Sequence, residues 1–99
     1  MTKIGLLARI EARPEHADKV EALLRDAVEL ARQEENTVTW YAFRQGPTTF
    51  GVFDTFEAEE GRQAHLQGRI AAALMDAAQT LLSEAPDIRP VDVLAAKLH

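Results

Sequence analysis

The chain has no cysteine among its 99 residues. That excludes disulfides, iron–sulfur clusters and zinc–thiolate sites together. Its three histidines stand at His16, His65 and His99, too scattered to suggest a metal site. Positive charge is also scarce: 11 Lys and Arg face 16 Asp and Glu, for a net charge of −5. A duplex nucleic-acid binder needs cations for the phosphates, so that class is not expected. No apolar run approaches the ~20 residues of a membrane span. The N-terminal run Ile4-Gly5-Leu6-Leu7 meets Arg9 and Glu11 too soon for a signal peptide. A cytoplasmic protein with no metal, no nucleic acid and no membrane partner is the expectation. The length fits one domain over residues 1–99. A chain this short buries roughly two thirds of its unfolded surface, so its core is thin.

What is present is clear periodicity. Residues 3–12 alternate, with Ile4, Leu6, Ala8 and Ile10 on one face, which predicts a strand. Pro14 favours a helix start, with Glu15 and Asp18 suiting the dipole of its first turn. Val20, Leu23, Leu24, Ala27, Leu30 and Ala31 recur at helical spacing to about Gln33, and Asn36 is a candidate left-handed stop. Residues 37–45 and 48–54 are rich in β-branched and aromatic types and flank a Gly46-Pro47 turn, which predicts a hairpin. Thr55 is placed to cap a second helix, which begins with Glu57, Glu59 and Glu60 and runs to about Ser83 with a kink near Gly68. Pro86 and Pro90 end it, and residues 91–98 read as a last strand. The order β-α-β-β-α-β is the split βαβ, ferredoxin-like arrangement: an α+β fold with an antiparallel sheet and both helices on one face.

A two-fold partner follows from the hairpin. Val38, Trp40 and Ala42 point one way and Tyr41 and Phe43 the other, while Phe50 and Val52 oppose Phe53. Two helices cover one sheet face, and antiparallel sheets with a wet second face normally carry polar residues there. A bare apolar face is avoided by soluble monomers. The simplest cover is the same face of a second copy, giving a homodimer.

The element order, the stretch Trp40-Tyr41-Ala42-Phe43-Arg44, and Phe53-Asp54-Thr55-Phe56-Glu57 followed by Ala64-His65 together resemble the antibiotic biosynthesis monooxygenase family, a branch of the dimeric α+β barrel superfamily. Phe56 and His65 match the family's pattern of an aromatic strand end followed about nine residues later by a helical histidine. The resemblance implies a dimeric α+β barrel and, among the family's activities, cofactor-free quinol oxidation. Heme degradation fits least. That branch uses an asparagine on the first strand, where this chain has none, and a tryptophan where Phe56 stands. No bound metal, heme or flavin is expected.

On one face of the second helix stand Ala58, Gly61, His65, Gly68 and Ala72, an imidazole on a stripe of small side chains. The stripe admits two readings. One is a pocket between helix and sheet, roofed by hairpin aromatics, in which His65 is a general base for a small phenol or quinol. A base with a pKa near ~6.5 takes such a proton at neutral pH. The other is close packing, with His65 bonded to a backbone carbonyl. The candidate site therefore comprises His65 as catalytic base, with Trp40, Tyr41, Arg44, Phe53, Phe56, Gly61 and Gly68 lining the substrate. Trp40 and Tyr41, on adjacent strand positions, cannot line the same cavity face. Arg44 suits a phenolate or acidic group, or is simply a solvated strand end. A non-catalytic small-molecule-binding or stress-response dimer, and a purely structural dimer, are the alternatives to a quinol-type monooxygenase.

Overall fold

The computed structural model describes residues 3–98. The first alternating segment forms β1, Ile4–Glu11. After a single 3-10 turn at Pro14–His16 comes the helix α1, Ala17–Arg32. The hairpin is β2, Thr37–Arg44, and β3, Thr49–Phe56. The second helical region is two helices, α2 at Glu59–Leu66 and α3 at Arg69–Thr80, followed by β4, Asp87–Asp92. All pairings are antiparallel and the sheet order is β2-β3-β1-β4, the ferredoxin-like arrangement.

Alternation decides which side chains meet the helices. From β1, Leu6, Ala8 and Ile10 are buried, and from β3, Phe50, Val52, Asp54 and Phe56. The registers Ala8↔Val52 and Ala42↔Val52 put these residues and Trp40 on one face. α1 meets them with Ala17, Val20, Leu24, Ala27 and Ala31, and α3 with Ile70, Leu74 and Ala77. These recur at spacings of three and four, as one helix face requires. Full burial of each Leu, Ile, Val or Phe contributes roughly 1.5–3 kcal/mol.

The other face lacks a cover. Leu7 is 43% exposed, Tyr41 55% and Phe43 41%. The opposite orientations of Trp40 and Tyr41 are as the alternation predicts. Phe43 lies across Gly51, where an added Cβ would sit 2.3 Å from the ring. Glycine there lets the aromatic lie flat on the sheet.

Four local expectations are corrected. Thr55 is not a helix cap: β3 runs on through it, and its buried hydroxyl bonds that of Thr39 at 2.6 Å. α2 instead follows Ala58, in extended conformation and with no side-chain cap. Asn36 is not left-handed, because no described residue has positive φ. The kink near Gly68 is a full break, with Gly68 extended at φ −89° and ψ −173°. The last strand ends at Asp92, and residues 93–98 carry no regular structure. Pro90 sits inside β4 because that strand pairs only with β1 and needs no donor on its outer edge.

Candidate functional site

Asp54 is the anomaly of β3. It occupies an inward position between Val52 and Phe56, where a solitary carboxylate would be costly, and is 1% exposed. His65 partners one of its oxygens, while the buried Oδ1 has no partner among the described residues. Rising from α2 one turn before the break, His65 places Nε2 2.8 Å from Asp54 Oδ2 and Nδ1 2.6 Å from Glu34 Oε1. Glu34, in the connection between α1 and β2, also accepts from Thr37 Oγ1 at 2.8 Å. The Phe56 ring lies against the imidazole, with centroids 5.4 Å apart. Burial disfavours the imidazolium, but the hydrogen bonds and negative charges of Asp54 and Glu34 outweigh it and raise the His65 pKa to about 9. At neutral pH the ring carries both protons and shares each with a carboxylate.

This geometry differs from both expectations for His65. Both ring nitrogens face carboxylates, not a backbone carbonyl, so neither is left to face a substrate. It does line an internal gap between helix and sheet, with Asp54, Leu66 and Ile70, but the gap is about 20 Å³, room for a single water. The small-residue stripe serves close approach. A Cβ on Gly61 would lie 3.0 Å from Asn36 Cβ, and one on Gly68 3.1 Å from Glu34 Oε2. Ala58 and Ala72 are exposed. The stripe lets α2 and the α2–α3 break press against the Glu34–Asn36 connection.

On its other side His65 borders, with Glu34, Thr37, Gly61 and Ala64, an outer cleft of about 150 Å³. A larger space lies elsewhere. A groove of about 420 Å³ runs between α1 and β2, lined by Leu24, Val28, Trp40, Ala42 and Phe50 with Glu21, Arg25 and Arg44. Trp40 packs on the core, and its buried Nε1 has no acceptor among the described residues. Arg44 stacks over Phe50, with Cζ 5.0 Å from the ring centroid. Its guanidinium donates to Glu21 Oε1 and to the carbonyls of Gly46 and Pro47, clasping the hairpin turn. The expected site residues are thus divided. His65, Phe56, Gly61 and Gly68 gather at one end of the helix-covered face. Trp40, Tyr41 and Arg44 border the groove, and Phe53 stands half-buried on the opposite sheet face. Asp54 and Glu34 escaped the sequence reading. A carboxylate at an inward position of an otherwise apolar strand is the signal for Asp54. Glu34 had none, because its role depends on a tertiary contact.

An antiparallel ferredoxin-like sheet with one helix-covered face and one open apolar face defines the structural class. The match to the antibiotic biosynthesis monooxygenase family model spans residues 3–80, and the chain belongs to that family. No curated protein matches it in sequence. Among solved structures, a protein of unknown function from Nitrosomonas europaea is 52% identical with a TM-score of 0.96, covering 100% of this chain and 96% of that one. A Pseudomonas aeruginosa protein shares the fold at 23% identity and a TM-score of 0.80, covering 96% of this chain and 97% of its own. A structure described as an antibiotic biosynthesis monooxygenase does so at 19% identity and a TM-score of 0.79, covering 93% and 99%. Among the described residues no helix is long and apolar enough to cross a membrane, and no cluster of three or more His, Cys, Asp or Glu is placed to hold a metal.

Proposed function

We propose that the protein works as a homodimer that binds a small aromatic molecule in the α1–β2 groove and oxygenates it, as a quinol-type substrate, without a cofactor. The groove carries this reading: about 420 Å³ over a floor of Trp40, Phe50, Leu24 and Val28, in a chain of a family named for monooxygenation. That volume lies in the range of small-molecule sites, which are mostly apolar with a few polar groups. A quinol supplies its own electrons: with O₂ it gives a hydroxyquinone and water, one oxygen atom going to ring carbon and the other leaving as water. Neither flavin nor metal enters that balance. His65 takes a structural role here, because both its nitrogens are committed.

The exposed Leu7, Tyr41 and Phe43 support the dimer, since one sheet face covers its two-fold copy. Sedimentation at micromolar concentration should give twice the chain mass, and a soluble monomer there contradicts it. Oxygen uptake with a panel of quinols tests the activity. Consumption matched to hydroxyquinone formation supports it. A second reading, a non-catalytic binding module, rests on the pairing of His65, which leaves no free base. Tight ligand binding with no oxygen uptake selects that reading.

A further inference from the structure

The rim of the α1–β2 groove is more specific than its floor. Glu21 sits between two guanidiniums, with Arg44 Nη1 at 2.8 Å from Oε1 and Arg25 Nε at 3.3 Å from Oε2. Those two donors hold the Glu21 carboxyl below the usual carboxylate range, so it is an anion at neutral pH. Two cations against one anion leave the rim with one net positive charge, on a chain whose net charge is −5. The two arginines are not equivalent. Arg44 spends all three nitrogens on Glu21, Gly46 and Pro47. Arg25 spends only Nε, its side chain is 76% exposed, and its two terminal nitrogens have no partner among the described residues. A guanidinium presents those nitrogens as a planar fork that fits a carboxylate or similar oxyanion.

We infer that the groove selects aromatic anions: a flat apolar ring on the Trp40–Phe50 floor and a carboxylate or phenolate at Arg25. This rests on the groove being the binding site and adds the chemical class of its ligand and the residue that recognises it. Arg25 is a specificity residue in this scheme. Arg44 positions Glu21 and the hairpin turn, and so leaves Arg25 turned to solvent with one side of its fork unused. The recognition is an exposed charge pair, so it sets preference more than total affinity.

The chain has a single tryptophan, so the indole N–H of Trp40 gives one resonance in ¹⁵N-labelled protein. Titration is followed at that resonance with 2-naphthoate and with 2-naphthalenemethanol, which shares the ring but not the charge. Naphthoate should bind about fivefold more tightly at low salt, the scale of an exposed ion pair. The preference should shrink as salt rises and screens the pair. Arg25→Gln should bring the two ligands to equal affinity without changing that of the alcohol. Val28→Phe, which narrows the floor, should weaken both. Equal binding of acid and alcohol by the unaltered protein overturns the anion preference and leaves the groove as a site for neutral aromatics. A preference that survives Arg25→Gln overturns the assignment to Arg25. Failure of both ligands to shift the resonance overturns the groove itself.

Discussion

The two ends of the helix-covered sheet face hold the same kinds of groups in opposite conditions. At the His65 end, a buried imidazolium lies 2.8 Å from the buried Asp54 carboxylate and 2.6 Å from the half-buried Glu34 carboxylate, beside an internal gap of about 20 Å³ and an outer cleft of about 150 Å³. At the Trp40 end, one carboxylate and two guanidiniums border about 420 Å³, and one guanidinium is largely exposed. A perturbed pKa in a buried cluster is a common mark of function, but structural ion-pair networks produce it too. What separates the two ends is space and uncommitted hydrogen-bonding capacity. The triad ties β3, α2 and the α1–β2 connection together. The groove offers surface to something else.

Opening the triad should separate the two ends most strongly. Asp54→Ala leaves His65 charged beside one carboxylate instead of two, and unfolding by urea should show a loss of about 3–5 kcal/mol, the scale for breaking a buried pair. Binding of 2-naphthoate per folded molecule should be unchanged. A loss below about 0.5 kcal/mol, the scale of surface changes, would make the triad incidental.

The next effect is pH. The folded-state His65 pKa of about 9 lies above its ordinary value of 6.5. Folding therefore favours the proton. The stabilisation is complete below about pH 6.5 and is lost as pH rises through about 9, a total of about 3 kcal/mol. Chemical denaturation at pH 6 and pH 10 measures it, and His65→Gln should remove most of the difference.

Smaller again is the effect of crowding the close approach at α2. Gly61→Leu must push Asn36 aside and should cost about 1–3 kcal/mol as overpacking, with groove binding intact. If that substitution instead abolished binding, the ligand would lie at the His65 end. The smallest stability change belongs to Arg25→Gln, within about 0.5 kcal/mol, because the side chain is exposed.

The fold was legible because β1 and α1 bury one face each and their spacing shows it. β2 and β3 were legible by composition, and the paired orientations of Trp40 against Tyr41 follow from alternation alone. Boundaries were lost where tertiary contacts outrank local preference. Thr55 reads as a cap, but its partner is Thr39 on the neighbouring strand, which pulls it into β3. Pro90 reads as a terminator, yet an edge strand tolerates it. At the site, His65 stood out as the helical histidine, but sequence spacing holds no record of Asp54 and Glu34 closing on it. The groove was only partly visible: Trp40, Tyr41 and Arg44 were singled out and Leu24 read as helix core, while Val28 and Arg25 belong to a helix edge that reads as ordinary solvated surface.

In this scheme ligands enter the α1–β2 groove and not the His65 end. The most direct test is an amide and side-chain chemical-shift map of ¹⁵N-labelled protein saturated with 2-naphthoate. The largest shifts should fall at Leu24, Arg25, Val28, Trp40 and Phe50, with His65, Leu66 and Ile70 still. Shifts centred on His65, Leu66 and Ile70, with the Trp40 indole unmoved, would contradict it.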